Sequence, residues 1–565
     1  MNQPATDIST ERQATRDLAL LALVVALVAA AVAPATMLWD RDEGFYARTA
    51  AEMLSSGDWL VPTFNGAVFA DKPPLLYWLM ASSMALLGET EFAGRIVSAI
   101  AGAATAFFTG LIAFRLAGRG AAMWSAAIFA TMAMAFYLAS AVMLDATLTL
   151  FITVALWAFV EIVARARPVI AMLAVFSVAL ALGLLTKGPV APAVVGGAVG
   201  LTLLLAPKAD RPSARAIAGL LLAAVLSLLP FLAWLIPANA RSGGVILDSG
   251  FGVHILGRAL APMEGHGGSG LGGYLATLLL YAPVVAIGVS PWLGFVAGGL
   301  AGFAKREAGD PLARALVFGW IAPAFLLFTL AATKLPHYIF PIFPALAIAA
   351  GILVAAAPAR AGRVLRIGAR AQFVLTVPAV IALAAAPVFI PGALGWIPGL
   401  AIAAYLFATG YAALRLMLRD RILPAARTIL LATAVFWPAF YWFGLTGIDA
   451  GFKVTKPLAL AIRRAAAADT PIYYENYVDP SFVFYLGRPP GSVGEILPED
   501  LATAVDALRS RSTFVLVATS AAIVRIEDAL GEKLARIDQH TAIDINMGVR
   551  NKTTIVAGRG LAPGG

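Results

Sequence analysis

The sequence predicts a polytopic α-helical membrane protein that ends in a small soluble α/β domain, and three observations lead to this fold class. The 565 residues are 60% hydrophobic and 13% charged, against about 45–50% apolar and about 25% charged residues in soluble domains. The apolar residues occur in uninterrupted runs of about 20 residues, the length that crosses the core of a bilayer. After about residue 450 the pattern changes to short strand-like and helical segments.

The apolar runs predict about thirteen transmembrane helices. The first run follows Arg12 and Arg16 and is longer than the apolar part of a signal peptide, about 7–15 residues, so we interpret it as a retained helix. The predicted helices lie near 18–38, 94–116, 121–140, 146–163, 169–186, 190–206, 216–237, 274–300, 313–332, 338–357, 372–390, 397–414 and 428–446.

The basic residues between the runs predict the orientation of the chain. If the N-terminus is cytoplasmic, every basic cluster between helices falls on the cytoplasmic side, as the positive-inside rule expects. The opposite, periplasmic side then holds long loops at about 39–93 and 238–273, and a C-terminal α/β domain at 448–565. We therefore expect a multi-pass inner-membrane protein with its transmembrane domain at 1–447. Since the net charge of +9 lies in these separate clusters, membrane lipids and not nucleic acid are the expected partners.

The C-terminal region predicts alternating strands and helices. Its strand-like runs are 472–474, 482–486, 514–518 and 553–556, and its helical stretches are 501–508 and 521–530. The whole chain has no cysteine, which excludes disulfides, thiolate metal sites and thiol nucleophiles.

The first outward loop opens with a dense group of charges. Asp42 and Glu43 belong to a segment with four consecutive charged residues directly beyond the end of a transmembrane helix. A solvated helix end would account for such a group. The alternative is an acid held at the membrane surface for ion, sugar or proton chemistry.

A second charged pair, Asp71-Lys72, precedes two prolines that fix the direction of the backbone. The aromatic pair that follows, Tyr77-Trp78, is typical of a segment in the membrane interface. Lys72 is thus either an interface anchor or a point charge for the phosphate of a lipid.

Three further outward positions carry isolated charges. Asp145 stands between two apolar runs with no other charge nearby, and an isolated carboxylate at a membrane is costly enough to favour a function over a simple loop acid. Lys187 and Lys334 each lie in a tight turn, where lysines commonly snorkel. Together with Lys72 they place three cations on the outward face, against the positive-inside trend, and this suits an anionic headgroup.

The second long loop contains a candidate metal site. His254 and His266, with Glu264 as a carboxylate, are suitable ligands for a divalent metal. Their spacing matches no helical ligand motif, and ordinary surface histidines are the alternative.

Five segments in this order resemble one family of glycosyltransferases. The chain resembles the aminoarabinose lipid A transferases and their protein-mannosyltransferase-like relatives of the GT-C class, in motif order, helix number and an outward C-terminal domain. Those transferases carry an arginine where this chain has Phe45. The segments are Asp42-Glu43-Gly44-Phe45-Tyr46-Ala47, Ser56-Gly57-Asp58-Trp59-Leu60-Val61-Pro62, Asp71-Lys72-Pro73-Pro74, Thr186-Lys187-Gly188-Pro189 and Lys334-Leu335-Pro336-His337-Tyr338.

The resemblance implies transfer of one sugar, a pentose or a hexose, from undecaprenyl phosphate to a lipid A or lipopolysaccharide-type acceptor at the periplasmic face. It places Asp42 at the catalytic centre, and Lys72 and Tyr338 at the carrier phosphate. Asp145 matches a second acidic position and Glu43 is a reserve acid. The other residues expected to bind substrate are Asp71, Lys187, Tyr46, Lys334 and His337.

The expected mechanism is a single displacement in which cations meet the departing phosphate. A hydroxyl acceptor then needs Asp42 as a general base, whereas an ionised phosphate acceptor needs it only to position the nucleophile or to stabilise positive charge on the sugar. Such a site requires no cofactor in principle, and a divalent metal stays an alternative. Transfer of another sugar to a different glycolipid or protein, a lipid-linked-sugar transporter and a non-catalytic scaffold are the competing functions.

Overall fold

The protein is largely helical. The computed structural model describes residues 8–39, 42–257, 270–307, 309–389, 396–475, 479–489, 495–496, 501–544 and 549–559. In chain order the helices up to the C-terminal region are α1 Ile8–Val32, α2 Asp42–Ser56, α3 Leu75–Leu87, α4 Glu91–Thr131, α5 Ala133–Ala139, α6 Leu144–Val163, α7 Val169–Lys187, α8 Val190–Leu205, α9 Ala214–Leu226, α10 Leu228–Arg241, α11 Gly270–Thr277, α12 Tyr281–Gly288, α13 Leu293–Ala304, α14 Pro311–Leu330, α15 Phe343–Ala356, α16 Arg363–Phe389, α17 Trp396–Leu418, α18 Ile422–Ala439 and α19 Thr446–Phe452.

The multi-pass membrane fold predicted from the apolar runs is confirmed. Among the described residues, 10 helices are long and apolar enough to cross a membrane, or up to 11 if the pair 272–288 and Leu293–Ala304, bent by 115°, counts as one span. The predicted number of about thirteen is reached only by dividing α4 at its break and adding the 16-residue helix α8. The break in α4 lies at Ala117 and Gly118, where Gly118 has a φ of 79°, a left-handed conformation that glycine adopts without steric cost.

Ion pairs join the start of α1 to α4 beside its break, and α4 to the last turn of α6. Arg115 contacts Glu161 at 2.9 Å and Glu11 at 2.6 Å. Arg119 contacts Asp17 at 2.6 Å. The first basic cluster therefore lies at the same end of the bundle as the N-terminal part of α1, as the predicted orientation requires.

The first long loop is an ordered platform of two helices and a hairpin. Strands β1, Thr63–Phe64, and β2, Ala67–Val68, pair antiparallel. The residues between them, Asn65 and Gly66, have φ of 50° and 81°, as a two-residue type I′ turn requires. The Glu52 carboxylate on α2 accepts hydrogen bonds from both turn amides, at 2.6 and 3.1 Å, and from Arg48 Nε at 2.6 Å. The hairpin is thereby fixed to α2.

The C-terminal region forms a five-stranded mixed sheet in the order β4-β3-β5-β7-β6. Strands β3, β4 and β5 are parallel, whereas β7 is antiparallel to both β5 and β6. The elements are α20 Thr455–Ala465, β3 Ile472–Tyr474, α21 Pro480–Leu486, β4 Glu495–Ile496, α22 Leu501–Arg509, β5 Phe514–Thr519, α23 Ser520–Leu530, β6 Ala535–Asp544 and β7 Val549–Arg559.

One predicted strand of this region is wrong. The run 482–486 was expected to be a strand and lies instead in helix α21, which begins at Pro480 and is followed by Gly487 with a φ of 60°. Proline is favoured at the first helical position and glycine just after the last one. These two end signals outweigh the strand propensity of the aromatic and β-branched residues between them.

Two hydrophobic clusters organise the protein. The larger one fills the helix bundle from α1 to α18. The second one joins the first-loop helices to the C-terminal region, since Tyr46 and Tyr77 share it with Leu458, Phe484 and Val515. The C-terminal region thus packs directly on the first loop, and its predicted boundary at residues 447 and 448 stays a prediction.

Candidate active site

The first turn of α2 carries Asp42 at the end of the bundle where α1 finishes. Its side chain is half-buried, and Tyr46, one helical turn later, points its hydroxyl at Asp42 Oδ1 from 3.3 Å. Burial first, and then the charge of Asp42, raise the pKa of Tyr46 well above its ordinary value. Tyr46 therefore stays protonated and can act as a donor to the Asp42 carboxylate.

A second acid, Asp145, is paired with Lys187 across two neighbouring helices. Lys187 Nζ lies 2.8 Å from Asp145 Oδ1, and His337 Nε2 lies 3.7 Å from Asp145 Oδ2. Asp145 is in the first turn of α6 and Lys187 is the last residue of α7, so each charge also has the favourable sign for the dipole of its own helix. The Asp145 side chain is only 3% exposed, and this pairing compensates its burial.

The carrier-binding residues predicted from the sequence lie beside this pair. Lys187 Nζ stands 4.4 Å above the ring of Tyr338, within the range of a cation–π contact. Lys72 donates a hydrogen bond to the Asp71 carbonyl at 3.0 Å, and its charge acts on both Asp145 and His337. Chain segments far apart in sequence therefore meet at one place.

Tyr46 connects Asp42 to the same group. Its hydroxyl is influenced by the charges of Asp42 and Asp71 and by the hydroxyls of Tyr77 and Tyr338. His337 in turn is influenced by Asp42. The structure thus brings together eight of the ten residues that the sequence assigned to catalysis or substrate binding: Asp42, Tyr46, Asp71, Lys72, Asp145, Lys187, His337 and Tyr338.

Glu43 lies away from this group although it follows Asp42 directly. Its carboxylate is 3% exposed and accepts two hydrogen bonds from Arg95, at 2.8 and 2.9 Å. It also accepts the backbone N–H groups of Trp39 and Val142, at 2.8 and 2.7 Å. Such saturation with donors fits a structural role for Glu43 and not the reserve catalytic role expected from the sequence.

Lys334 also has contacts of its own. Its Nζ donates to the Ala331 carbonyl at 2.8 Å and lies 4.4 Å above the ring of Tyr274. The structure thus places Lys334 beside the end of α14 and the Tyr274 ring on α11, and it gives no contact between Lys334 and the group around Asp145 in the part of the chain described.

The predicted metal site falls outside the described residues. Glu264 and His266 are not described, and neither is the side chain of His254. Among the residues that are described, no group of three or more histidine, aspartate or glutamate side chains has a metal-binding arrangement.

Phe45, the position of the arginine in the aminoarabinose transferases, belongs to an aromatic cluster beside Asp42. Its ring lies 4.7 Å from that of Phe64 and 5.3 Å from that of Phe69, with which it stacks. Tyr77 of α3 packs edge-on against Phe69 and completes the aromatic cluster. Its buried hydroxyl has no hydrogen-bond partner in the described part of the chain. One side of the candidate site is therefore aromatic.

Sequence reasoning missed the two residues that hold the site in place. Arg95 stands inside an apolar run and Glu52 inside a short helix, and each has its partners on other segments. The sequence does show that Arg95 is a charged residue in an apolar run. Burying such a charge is costly unless it is paired, so a partner could have been expected. The partner itself is visible only in the fold.

Comparison with known proteins finds similarity to two groups of membrane transferases over part of the chain. The model of the dolichyl-phosphate-mannose-protein mannosyltransferase family matches residues 71–236. An undecaprenyl phosphate-alpha-4-amino-4-deoxy-L-arabinose arabinosyl transferase of Edwardsiella ictaluri is 32% identical over 340 residues, which are 59% of this chain and 58% of that protein. The enzyme of the same name from Pectobacterium carotovorum is 31% identical over 336 residues, 58% of each chain. The match thus spans less than two thirds of these relatives.

The fold is similar over nearly the whole chain. The crystal structure of ArnT from Cupriavidus metallidurans bound to undecaprenyl phosphate gives a TM-score of 0.72 at 20% identity and covers 95% of this chain and 97% of that one. The apo form of the same protein gives a TM-score of 0.74 at 19% identity, over 97% and 98%. The fold of this chain is therefore that of the ArnT structures, and in sequence the chain resembles the arabinosyl transferases and the mannosyltransferase family named above.

Proposed function

We propose that this protein is an integral-membrane glycosyltransferase that moves a sugar from an undecaprenyl-phosphate carrier to a lipid A or lipopolysaccharide-type acceptor. The observation that carries the proposal is the convergence of Asp42, Lys72, Lys187 and Tyr338, from four separate segments, at one end of the helix bundle. Aminoarabinose, which the names of the relatives specify, is the first sugar to test. The names and the ArnT complex with undecaprenyl phosphate support the choice of carrier.

The proposed reaction breaks the bond between the anomeric carbon of the sugar and a phosphate oxygen. The electron pair of this bond stays on the phosphate, where negative charge accumulates as the bond lengthens. We assign Lys72 as the cation that meets this charge, with the Tyr338 hydroxyl as a second donor. A fixed donor aimed at developing charge is worth about 10²–10³ in turnover in comparable sites.

The new bond forms between the anomeric carbon and an oxygen of the acceptor. If that oxygen belongs to a hydroxyl, Asp42 accepts its proton during attack, as a general base does. If it belongs to an ionised phosphate, no proton has to leave, and the Asp42 carboxylate orients the acceptor and stabilises positive charge on the sugar. Tyr46, as a donor to Asp42 Oδ1, holds the carboxylate in the same place in both cases.

We further propose that the site faces the periplasm from the inner membrane, with the N-terminus in the cytoplasm. The pairing of Arg115 and Arg119 with Glu11 and Asp17 supports this orientation, because it gathers basic residues at the end of the bundle where α1 begins. Polyprenyl-linked sugars presented on the opposite face then meet Lys72 directly.

A donor panel tests the proposed function. We expect the purified protein, given undecaprenyl-phosphate sugars and a membrane lipid extract, to release free undecaprenyl phosphate from one donor, measured by mass spectrometry. Lys72→Ala should lower this release about 10²–10³-fold, whereas Lys305→Ala, an exposed lysine after α13, should leave it unchanged. Because the cations belong to the chain, we expect transfer to persist in EDTA. If labelled lipid crosses the membrane of reconstituted vesicles and no undecaprenyl phosphate is released, the protein is a transporter and not a transferase.

A double-mutant cycle tests whether Asp145 and Lys187 act as one unit. Lys187 Nζ lies 2.8 Å from Asp145 Oδ1. Because each side chain is held in position next to Tyr338 by the other, loss of either partner should move the one that remains. We expect Lys187→Gln and Asp145→Asn each to lower kcat/KM about 10-fold to 100-fold, and the double variant to be no slower than the slower single one. Multiplied effects in the double variant would show that the two residues act independently.

A further inference from the structure

The chain just before Asp42 is held by residues of the C-terminal region and of α19, the helix that leads into it. The backbone N–H of Leu38 donates to Tyr485 Oη at 2.6 Å. The N–H of Met37 donates to Asp449 Oδ2 at 2.6 Å, and the carbonyl of Met37 accepts from Lys453 Nζ, also at 2.6 Å. Both polar groups of one residue and the amide of the next are therefore fixed within five residues of Asp42.

The chain just after Asp42 is held by direct backbone packing. Gly44, in the first turn of α2, lies against the first residues of α21. A Cβ atom at position 44 would meet Ser481 N at 2.4 Å and Pro480 C at 2.7 Å, closer than such atoms approach. Only glycine allows α2 and α21 to pack at this distance, so the helix that carries Asp42 rests on the C-terminal region.

Tyr485 joins these contacts to the membrane helices. Its buried hydroxyl accepts from Leu38 and donates to Glu91 Oε1 at 3.0 Å, and Glu91 also pairs with Lys456. Burial first, and then the neighbouring Glu91 charge, raise the pKa of Tyr485, so the hydroxyl keeps its proton for Glu91. One side chain thus links α21, the start of α4 and the segment that leads to Asp42.

We propose that the C-terminal α/β region is a positioning device for Asp42. It holds the chain on both sides of the catalytic acid, with Tyr485 and Gly44 as the two positioning residues. The inference rests on the transferase function proposed above. A displacement of about 1 Å in a catalytic group can lower the rate about 10²-fold, so contacts this close to Asp42 determine turnover.

The residues that meet the carrier have contacts separate from those of Tyr485 and Gly44. Lys72 is fixed by Pro73 and by its own hydrogen bond to the Asp71 carbonyl, and Lys187 is fixed by Asp145 on a membrane helix. Loosening the hold on Asp42 should therefore lower kcat and leave KM for the carrier unchanged.

Two variants in the full-length protein test the proposal, each with a matched control. Tyr485→Phe removes the bridging hydroxyl and Gly44→Ala separates α2 from α21. The controls are Tyr411→Phe, at an exposed tyrosine, and Gly200→Ala, a helical glycine with open space around its Cα. We expect kcat to fall about 10-fold to 100-fold in both test variants, with donor KM within about 2-fold, and neither control to change. In Tyr485→Phe, hydrogen–deuterium exchange of the peptide that spans residues 37–46 should rise.

The outcomes separate this proposal from the function on which it rests. Faster exchange at 37–46 with unchanged kcat would overturn the positioning role and leave the transferase intact. An equal rise in donor KM would also overturn it, because the variants would then disturb the whole site. If the wild-type protein releases no undecaprenyl phosphate from any donor, the proposed function is wrong. The positioning of a catalytic Asp42 is then wrong as well, whatever the exchange data show.

Discussion

Replacing Asp42 by asparagine is expected to lower turnover about 10²–10⁴-fold, the usual contribution of a general acid or base. Asparagine has the same shape and still offers an oxygen to the Tyr46 hydroxyl, so the first turn of α2 should keep its geometry. Lys72 is on a different segment, and the affinity for the carrier should stay within about 2-fold. The measurements are kcat for sugar transfer and the Kd for undecaprenyl phosphate, both on the purified protein.

A nearby acid provides the control for this prediction. Asp58, in the same loop, accepts the N–H groups of Leu60 and Val61 and pairs with Arg241, contacts that concern the shape of the loop. Asp58→Asn should therefore keep turnover near that of the wild type. If Asp42→Asn is equally active, Asp42 is not the base and the assignment passes to Asp145, whose carboxylate belongs to the same group of residues.

Much of the fold was predictable because membrane helices can be identified in a sequence by their length and apolar composition. Every predicted apolar run lies on helical segments of the described chain, and the lone acid Asp145 was identified because an isolated carboxylate at a membrane needs a reason. Its partner Lys187 was named only as one of several cations. Their pairing arises from the packing of α6 on α7, which no local pattern reveals.

The difference between Asp42 and Glu43 shows what a sequence cannot decide. The two acids are adjacent and equally charged, and nothing in the sequence pattern around them distinguishes a catalytic from a structural role. Once α2 forms, consecutive side chains point about 100° apart. Asp42 then faces Tyr46, whereas Glu43 turns inward to Arg95. The assignment depends on where a helix begins and on what lies beneath it.

The C-terminal region was predicted as a separate α/β domain, and its strands and helices are mostly as expected. Its relation to the first loop was not predictable. The apolar faces of α2, α3 and α21 are short, and a short apolar face does not specify its partner. Gly44 belonged to one of the segments that carry the family resemblance, but its physical role, the close approach of α2 to Ser481, appears only in three dimensions.

Replacing Arg95 by methionine is expected to destabilise the protein by about 3–5 kcal/mol, the typical cost of removing one partner from a buried ion pair. Arg95 is 1% exposed. Besides Glu43 it donates to the carbonyl groups of Ala33, Thr36 and Met37, at 2.6, 2.8 and 3.0 Å. Without it, the Glu43 carboxylate is left buried without its ion-pair partner. Reversible unfolding in mixed detergent micelles would measure the loss.

The pH dependence of the stability loss in Arg95→Met, together with a second substitution, tests whether the buried Glu43 charge causes this loss. Burial alone would raise the pKa of Glu43, but Arg95 outweighs it and holds the pKa below its ordinary value of 4.5. The pair therefore stabilises the wild type above this pH and loses its effect as the pH falls through the lowered pKa. In Arg95→Met, burial is opposed only by the weaker effects of Lys453 and the Trp39 N–H, so the pKa of Glu43 should be higher than in the wild type. The difference in stability between variant and wild type should therefore narrow as the pH falls from neutral through the raised pKa of the variant and then through the lowered pKa of the wild type.

Adding Glu43→Gln to the Arg95→Met variant should recover part of the stability at neutral pH, because it removes the uncompensated charge and keeps the side chain's volume. The exposed pair Arg119 and Asp17, 2.6 Å apart with side chains 47% and 25% exposed, gives the control. Arg119→Met should cost no more than about 1 kcal/mol. An Arg95→Met loss that is equally small, or one that does not change with pH, would mean that the ion pair does not anchor α2 beneath Asp42.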